Sequence, residues 1–142
     1  MRRSTSEGSD GTGASEMIAL DASFVIDYLN GVEATRSFLE QRDELVYYVP
    51  TLALFEVARE AAWAESRSVA DVLAGIDWTE PLAFDAGASR EAVQIHAELL
   101  ENGTPINAAD VMIAGICRHH GASLVTRDGD FTDVSGLELV GY

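Results

Sequence analysis

Four acidic residues lie in parts of the chain that are otherwise apolar. Asp21 directly follows the apolar run Met-Ile-Ala-Leu, and Asp128 comes two residues after the mostly apolar run Ala-Ser-Leu-Val-Thr. Glu56 and Asp110 lie inside segments whose other residues are mostly apolar. Carboxylates rarely lie in a protein core unless they are paired or bind a cation, because removing a charge from water is costly. Four such acids predict a shared acidic pocket that binds a hard divalent metal ion.

The ligand types indicate which metal this pocket would select. Oxygen ligands favour Mg²⁺ or Mn²⁺, whereas zinc prefers sulfur and nitrogen. Cys117 is the one cysteine of the chain, and His96, His119 and His120 show no ligand spacing, so no multi-cysteine zinc site is predicted. Carboxylate-bound metals of this kind suit phosphodiester hydrolysis, in which the metal activates water and stabilises the leaving oxygen.

The net charge of the chain, taken alone, argues against a nuclease. The chain has 24 acidic and nine basic residues, a formal net charge of -15, and all nine basic residues are arginine. Such a field repels nucleic acid at long range, because binding depends on neutralising phosphates. In molar salt, however, the screening length falls to about 3 Å and the repulsion largely disappears. An acidic, lysine-free chain therefore indicates adaptation to a halophilic cytoplasm, and a high-GC genome is the alternative explanation for the arginines.

Strand and helix patterns alternate along the chain from Met17 onward. Single residues locate several boundaries: Pro81 marks an edge strand, Gly121 ends a helix, and the candidate helix caps are Thr51, Asp85 and Asn107. Continuous apolar runs without strict alternation are typical of strands buried on both faces. The predicted strands are 17–20, 45–49, 80–84, 122–126 and 137–140, and the predicted helices are 22–29, 33–41, 51–66, 68–75, 86–101 and 108–120.

This alternation predicts one α/β domain over residues 17–142, with a mostly parallel sheet of about five strands and helices on both faces. Residues 1–16 are predicted to be a disordered tail, because they contain almost no large apolar side chain. Met17 is an alternative initiation codon, and the sequence leaves that choice open. In parallel sheets, ligands bind beyond the carboxyl ends of the strands. Asp21 and Asp128 follow strands, so all four acids can converge on that rim.

Four segments of the chain contain these acids. They are Ile-Ala-Leu-Asp-Ala-Ser-Phe-Val-Ile-Asp-Tyr-Leu at 18–29, Pro-Thr-Leu-Ala-Leu-Phe-Glu-Val at 50–57, Pro-Ile-Asn-Ala-Ala-Asp-Val-Met-Ile-Ala at 105–114, and Leu-Val-Thr-Arg-Asp-Gly-Asp-Phe at 124–131 followed by Gly-Leu at 136–137. In this order they resemble the motifs of PIN-domain nucleases, and the similarity extends from Met17 to Val140. The small stand-alone members of that family are mostly VapC-type toxin ribonucleases of toxin–antitoxin pairs.

The resemblance implies a role for each acid. It makes Asp21, Glu56 and Asp110 the core catalytic and metal-binding acids and Asp128 the fourth. Ala22 departs from the usual hydroxyl residue of the first motif. The secondary candidates are the hydroxyls of Ser23 and Thr126 and the carboxylate of Asp130, which could share or replace the role of Asp128.

As a whole, the resemblance implies a cytoplasmic endoribonuclease dependent on Mg²⁺ or Mn²⁺. Its implied partners are an RNA substrate, a VapB-like antitoxin and a second copy of the chain, and no membrane is involved. Two alternatives remain open: a catalytically silent PIN-fold module that binds RNA or protein, and a housekeeping RNA-processing nuclease.

Several further residues have competing interpretations. Asp27 is predicted to be a solvated helix acid, because it lies beyond the first turn of its helix. Trp63 and Trp78 are predicted to be core or interface residues rather than base-stacking platforms. Arg127, next to Asp128, forms either a surface ion pair or a phosphate contact.

Overall fold

A five-stranded parallel sheet forms the centre of the computed structural model, which describes residues 17–142. The predicted tail, residues 1–16, lies outside the described residues. The strands are β1 Met17–Leu20, β2 Tyr48–Pro50, β3 Glu80–Leu82, β4 Ala122–Val125 and β5 Leu139–Val140. The α-helices are α1 Ala22–Leu29, α2 Glu33–Glu40, α3 Thr51–Ala64, α4 Val69–Gly75, α5 Ala86–Glu101 and α6 Ala108–His120, and a short 3₁₀ helix spans Gly129–Asp133.

The strand order β3-β2-β1-β4-β5 places β1 and β4 side by side in the middle of the sheet. All four strand pairs are parallel, which confirms the predicted α/β architecture. Pro81 lies in the edge strand β3, as predicted, where its missing N–H costs no hydrogen bond within the sheet. Leu20 is paired with Val125, so β1 and β4 end at the same level. The residues that follow these two strands are therefore neighbours at the carboxyl edge of the sheet.

Helix α6 forms one wall of this edge. It begins at Asn107, whose side chain accepts a hydrogen bond from the Asp110 N–H, and ends at Gly121 in the left-handed conformation. Gly115 lets α6 approach α5 closely, since a Cβ at this position would lie 2.7 Å from the Ala88 carbonyl oxygen and 2.8 Å from the Ala92 Cβ. Cys117 in α6 is fully buried, and burial raises the pKa of its thiol.

Two predicted boundaries were wrong near β2. The strand predicted at 45–49 begins only at Tyr48, because Leu45 is 99% exposed and contributes nothing to the core. Thr51 was predicted to cap α3, but Pro50 occupies the cap position and Thr51 is the first helical residue. The Thr51 hydroxyl instead accepts a hydrogen bond from the Phe84 N–H at 3.3 Å. A few helix and strand ends elsewhere differ by one or two residues, as is usual for frayed termini.

His119 lies close to an acidic side chain of the neighbouring helix. His119 and His120 lie in the last turn of α6, where a cation suits the helix dipole. The His119 Nε2 lies 3.7 Å from a carboxylate oxygen of Asp85, the residue that caps α5. The pair therefore joins the end of α6 to the start of α5. No helix within residues 17–142 is both long and apolar enough to cross a membrane.

Candidate metal centre

Asp21 lies at the end of β1 and is 4% exposed. Its backbone N–H extends the sheet by donating to the Val125 carbonyl at 3.0 Å. Its carboxylate accepts hydrogen bonds from the hydroxyls of Thr126 at 2.7 Å and Ser23 at 3.2 Å. The Thr126 hydroxyl also accepts a hydrogen bond from the Asp128 N–H at 3.0 Å. Both hydroxyls that the sequence suggested as secondary candidates thus hold Asp21, and Thr126 connects it to the loop that carries Asp128.

Asp110 lies in the first turn of α6 and is 7% exposed. The Asn107 side chain fixes it twice: its oxygen accepts from the Asp110 N–H at 2.9 Å, and its amide nitrogen donates to the Asp110 carboxylate at 2.8 Å. Asn107 therefore caps the helix and also orients the carboxylate. The sequence predicted the cap but not the second contact.

Three of the predicted acids converge closely. Asp110, Asp128 and Asp130 each offer a carboxylate oxygen, and these oxygens all lie within 4.8 Å of one another. Asp128 precedes the 3₁₀ helix and accepts a hydrogen bond from the Asp130 N–H at 2.9 Å, which places both acids in one tight turn. Asp21 and Glu56 are not part of this group of three, but both lie near enough to interact with it electrostatically. The five acids thus occupy one rim of the sheet.

Burial and repulsion between neighbouring acids disfavour the ionised form of these carboxylates and raise their pKa values. Burial raises the pKa of Asp21, and the charge of Asp128 adds to this effect. Burial, followed by the charges of Asp110 and Asp21, raises the pKa of Glu56 to about 6. Burial also raises the pKa of Asp110 to about 6, against the opposing effect of the Asn107 hydrogen bond. Each shift records an energetic cost of keeping the acid ionised.

A divalent cation would remove this cost. Within residues 17–142, none of the five acids forms an ion pair with arginine or histidine. Buried carboxylates are normally paired or bound to a metal, and the two buried ones here, Asp21 and Asp110, accept hydrogen bonds from neutral side chains only. The all-oxygen donor set therefore fits Mg²⁺ or Mn²⁺.

We expect the metal-free protein to become more stable as the pH falls from about 7.5 to about 5. Because the pKa values of Glu56 and Asp110 are raised to about 6, the folded state binds protons in this window that the unfolded state does not. The stability therefore increases as protons are taken up and decreases as the pH rises through 6. Thermal melts in a chelating buffer across this range measure the effect.

The high net negative charge contributes in the same direction, so a variant is needed to isolate the site. Asp110→Asn removes one of the two titrating groups and should make the pH dependence shallower. The exposed acid Asp77 provides the matched control, and Asp77→Asn should leave the slope unchanged. Equal slopes in all three proteins would show that Asp110 does not titrate in this way.

Asp27 was wrongly predicted to be a solvated helix acid. Its side chain is 15% exposed and accepts hydrogen bonds from the Arg127 Nε at 2.8 Å and the Tyr142 hydroxyl at 2.7 Å. The hydrogen bond from Arg127 is the main reason that the pKa of Asp27 is lowered. Of the two interpretations left open for Arg127, the structure shows the ion pair. This contact ties α1 to the loop that carries Asp128.

The two tryptophans differ from each other. Trp78 is 37% exposed and packs edge-on against Tyr28 and Tyr47. Trp63, predicted to be a core or interface residue, is 90% exposed at the end of α3 and is not part of the core.

The fold and the site define a class of protein: small α/β domains with carboxylates grouped at the carboxyl edge of a parallel sheet. Solved structures share this fold. The structure of VapBC2 from Rickettsia felis bound to a promoter DNA fragment aligns with a TM-score of 0.76 at 19% identity, covering 88% of this chain and 98% of that chain. DNA-bound VapBC from Salmonella typhimurium aligns with a TM-score of 0.68 at 26% identity, covering 88% and 97%.

The family model described as PIN domain matches residues 18–137. The chain belongs to the PIN domain family, which confirms the resemblance seen in its motifs. It is 32% identical over 94 residues to the tRNA(fMet)-specific endonuclease VapC of Salmonella typhimurium, covering 64% of this chain and 71% of the relative. It is 34% identical over 79 residues to the protein of the same name from Shigella flexneri, where the alignment covers 55% of this chain and only 60% of the relative.

Proposed function

We propose that this protein is an endoribonuclease that hydrolyses RNA phosphodiester bonds with Mg²⁺ or Mn²⁺, and that it is the toxin of a toxin–antitoxin pair. The observation that carries the proposal is the group of five acids, two of them buried and none with an ion-pair partner among residues 17–142, in a PIN domain whose relatives include VapC endonucleases. Asp21, Glu56, Asp110 and Asp128 are the proposed catalytic and metal-binding acids, and Asp130 shares the role of Asp128.

Different side chains have different roles in the proposed site. Ser23 and Thr126 donate to Asp21 and hold its carboxylate in one orientation, and Asn107 does the same for Asp110. Glu56 lies outside the group of three carboxylates and is half-buried, so its carboxylate is free to accept a proton from the attacking water. The divalent metal, when bound, would supply Lewis acidity and neutralise the charge that develops on the phosphate.

The proposed partners follow from the structural neighbours. Those neighbours include VapBC assemblies and a toxin-antitoxin complex from Klebsiella pneumoniae. By extension, we propose a VapB-like antitoxin and a homodimer for this chain. Co-purification with the product of an adjacent small reading frame, followed by measurement of the mass of the complex, tests both proposals. A chain that cleaves RNA as a monomer and binds no such product would contradict them.

We also propose adaptation to high salt, which reconciles the net charge of -15 with an RNA substrate. Self-repulsion of the acidic surface is strongest at low ionic strength, where the screening length reaches about 30 Å at 0.01 M. We therefore expect stability to rise from about 0.1 M to about 2 M KCl, and cleavage to persist or increase over the same range. Thermal melts and RNA cleavage across this series measure both effects. Flat stability with cleavage that collapses would instead favour a basic protein partner as the reason for the acids.

A further inference from the structure

A groove runs from the candidate metal centre along the surface between α1 and α3. It encloses about 480 Å³ and begins at Glu56, one of the site acids. Ala22 and Ile26 form the side contributed by α1, and Ala22 directly follows the buried Asp21. The groove thus adjoins the candidate metal centre at Glu56 and Ala22, and an RNA strand bound at that centre would extend into the groove. Arg59, Glu60 and Trp63 complete the lining from α3.

The α3 side of the groove is one face of the helix. Glu56, Arg59, Glu60 and Trp63 are spaced at i, i+3, i+4 and i+7, which brings them into a single row. From Glu56 to Trp63 the row extends about 10 Å along the helix axis. It therefore leads from the acids to an aromatic ring over a distance that one nucleotide next to the cleaved bond can span.

Trp63 has the properties of a stacking platform. It is 90% exposed, and within residues 17–142 its indole forms no hydrogen bond and no ring contact. Tryptophan is rarely left so exposed without a partner, because its large apolar ring is costly to hydrate. An aromatic face stacks on any unpaired base, since every base has a π-face.

Arg59 supplies a positive charge next to the acids. It is exposed and forms no ion pair within the described part of the chain. Its charge nevertheless acts on Glu56 and partly offsets the rise of the pKa of that acid. The negative charge of Glu60 would repel a phosphate. Glu60 also lines a neighbouring cavity, however, and Arg67 is part of the same lining. Among the residues that the structure describes, Arg67 donates only to the Leu29 carbonyl and the Asn30 side chain and forms no ion pair, so its charge can offset that of Glu60.

We propose that this groove binds the unpaired nucleotide next to the scissile phosphate, with Arg59 on a phosphate and Trp63 stacked on the base. The inference rests on the proposed ribonuclease function and adds two side chains that hold the substrate beside the cut, Arg59 and Trp63. A paired base has both faces covered by its neighbours in the helix and cannot stack on Trp63. An RNA occupant is favoured over a protein one because Glu56, one of the acids proposed to cleave the phosphodiester, lines the groove.

The test compares Trp63→Ala, Trp63→Phe and Arg59→Gln with the native chain. The control is Leu100→Ala, which removes an exposed apolar side chain, 56% exposed, from α5. The probe is a mixed-sequence single-stranded RNA oligonucleotide, with the same RNA annealed to its complement for comparison.

We expect Trp63→Ala to raise the KM about 10-fold or more with a smaller change in kcat, as the loss of one stacked base predicts. Trp63→Phe should restore most of the affinity, and Arg59→Gln should reduce the salt dependence of binding.

Binding is measured separately in the Asp110→Asn background, so that it does not depend on turnover. With Trp78→Phe added, Trp63 is the one remaining tryptophan and its fluorescence should be quenched by the single-stranded RNA but not by the duplex. Unchanged KM in Trp63→Ala together with no quenching would overturn the inference, while cleavage by the native chain would leave the proposed function standing. Fluorescence quenching by single-stranded RNA, together with no RNA cleavage by the native chain, would support binding in the groove and contradict the proposed nuclease function. If Trp63→Ala weakens only the complex with the antitoxin, the groove is a protein-docking surface and the inference is wrong.

Discussion

Replacing Asp110 by asparagine is expected to reduce RNA cleavage by at least about 100-fold, because even residues that only orient a metal ligand contribute 10- to 100-fold. The same change should not unfold the protein. Asparagine has nearly the same shape as aspartate and keeps a carbonyl oxygen that can accept the Asn107 hydrogen bond. It also removes a carboxylate whose pKa is raised to about 6 by burial and neighbouring acids. We therefore expect the metal-free variant to melt at the native temperature or a few degrees above it, a gain of about 1 kcal/mol.

Asp21→Asn is the second member of this pair and should behave in the same way. Its carboxylate is almost fully buried and accepts hydrogen bonds from Ser23 and Thr126, which an asparagine oxygen can also accept. Asp77→Asn, on an exposed acid far along the chain, serves as the control and should leave both properties unchanged. A sharp fall in the metal-free melting temperature of Asp21→Asn and Asp110→Asn would mean that the acids are structural. The assignment of the site would then be wrong.

Removing divalent metal should abolish RNA cleavage, and adding Mg²⁺ or Mn²⁺ should restore it. The physical reason is that Asp110, Asp128 and Asp130 bring three carboxylates within 4.8 Å, and a single cation relieves their repulsion. A ligand that binds only the folded state also stabilises it. We therefore expect the melting temperature to rise with added Mn²⁺, independently of any cleavage assay.

The same titration in Asp110→Asn provides the matched comparison. Loss of one carboxylate from the group of three should weaken the Mn²⁺-dependent rise in melting temperature, whereas Asp77→Asn should retain it. Full cleavage of RNA in excess chelator would refute a metal-dependent mechanism. An equal rise in all three proteins would place the bound metal elsewhere on this acidic chain.

The architecture was predictable because local patterns and the sheet agree. Continuous apolar runs such as Ala122–Val125 can be buried on both faces only in the middle of a parallel sheet, and β4 lies there. Two of the three predicted helix caps were also correct: Asp85 and Asn107 each accept a backbone hydrogen bond at the start of a helix. The second strand was harder to locate, since Leu45 and Val46 are apolar but exposed, and composition alone does not distinguish such residues from core.

The grouping of the acids was predictable for a similar reason. Strands β1 and β4 end in register, so Asp21 and the loop carrying Asp128 are brought together by the sheet itself. Asp110 joins them because Asn107 starts α6 at the same edge. The close pairing of Asp128 with Asp130 depends on one turn, and the sequence could name both residues but not decide between them.

Contacts between distant parts of the chain were not predictable. Asp27 is held by Arg127 and Tyr142, which are 100 and 115 residues away in sequence, so a local pattern could only suggest a solvated acid. The exposure of Trp63 was not predictable either. Tryptophan is usually buried, and only the structure shows that nothing within the described residues covers this one.

The close approach of α6 to α5 at Gly115 has a genetic consequence. If the protein is a toxin, cells that lose its antitoxin survive only when a mutation inactivates the toxin. Such mutations can fall at any residue on which the activity depends. Any side chain at Gly115 meets the backbone of Ala88 and must push the two helices apart. Asp110 lies on the same helix, so it would move without being altered. Survivors would thus carry changes in a helix contact as well as in the acids, and a map of escape alleles would outline the wall that positions the site.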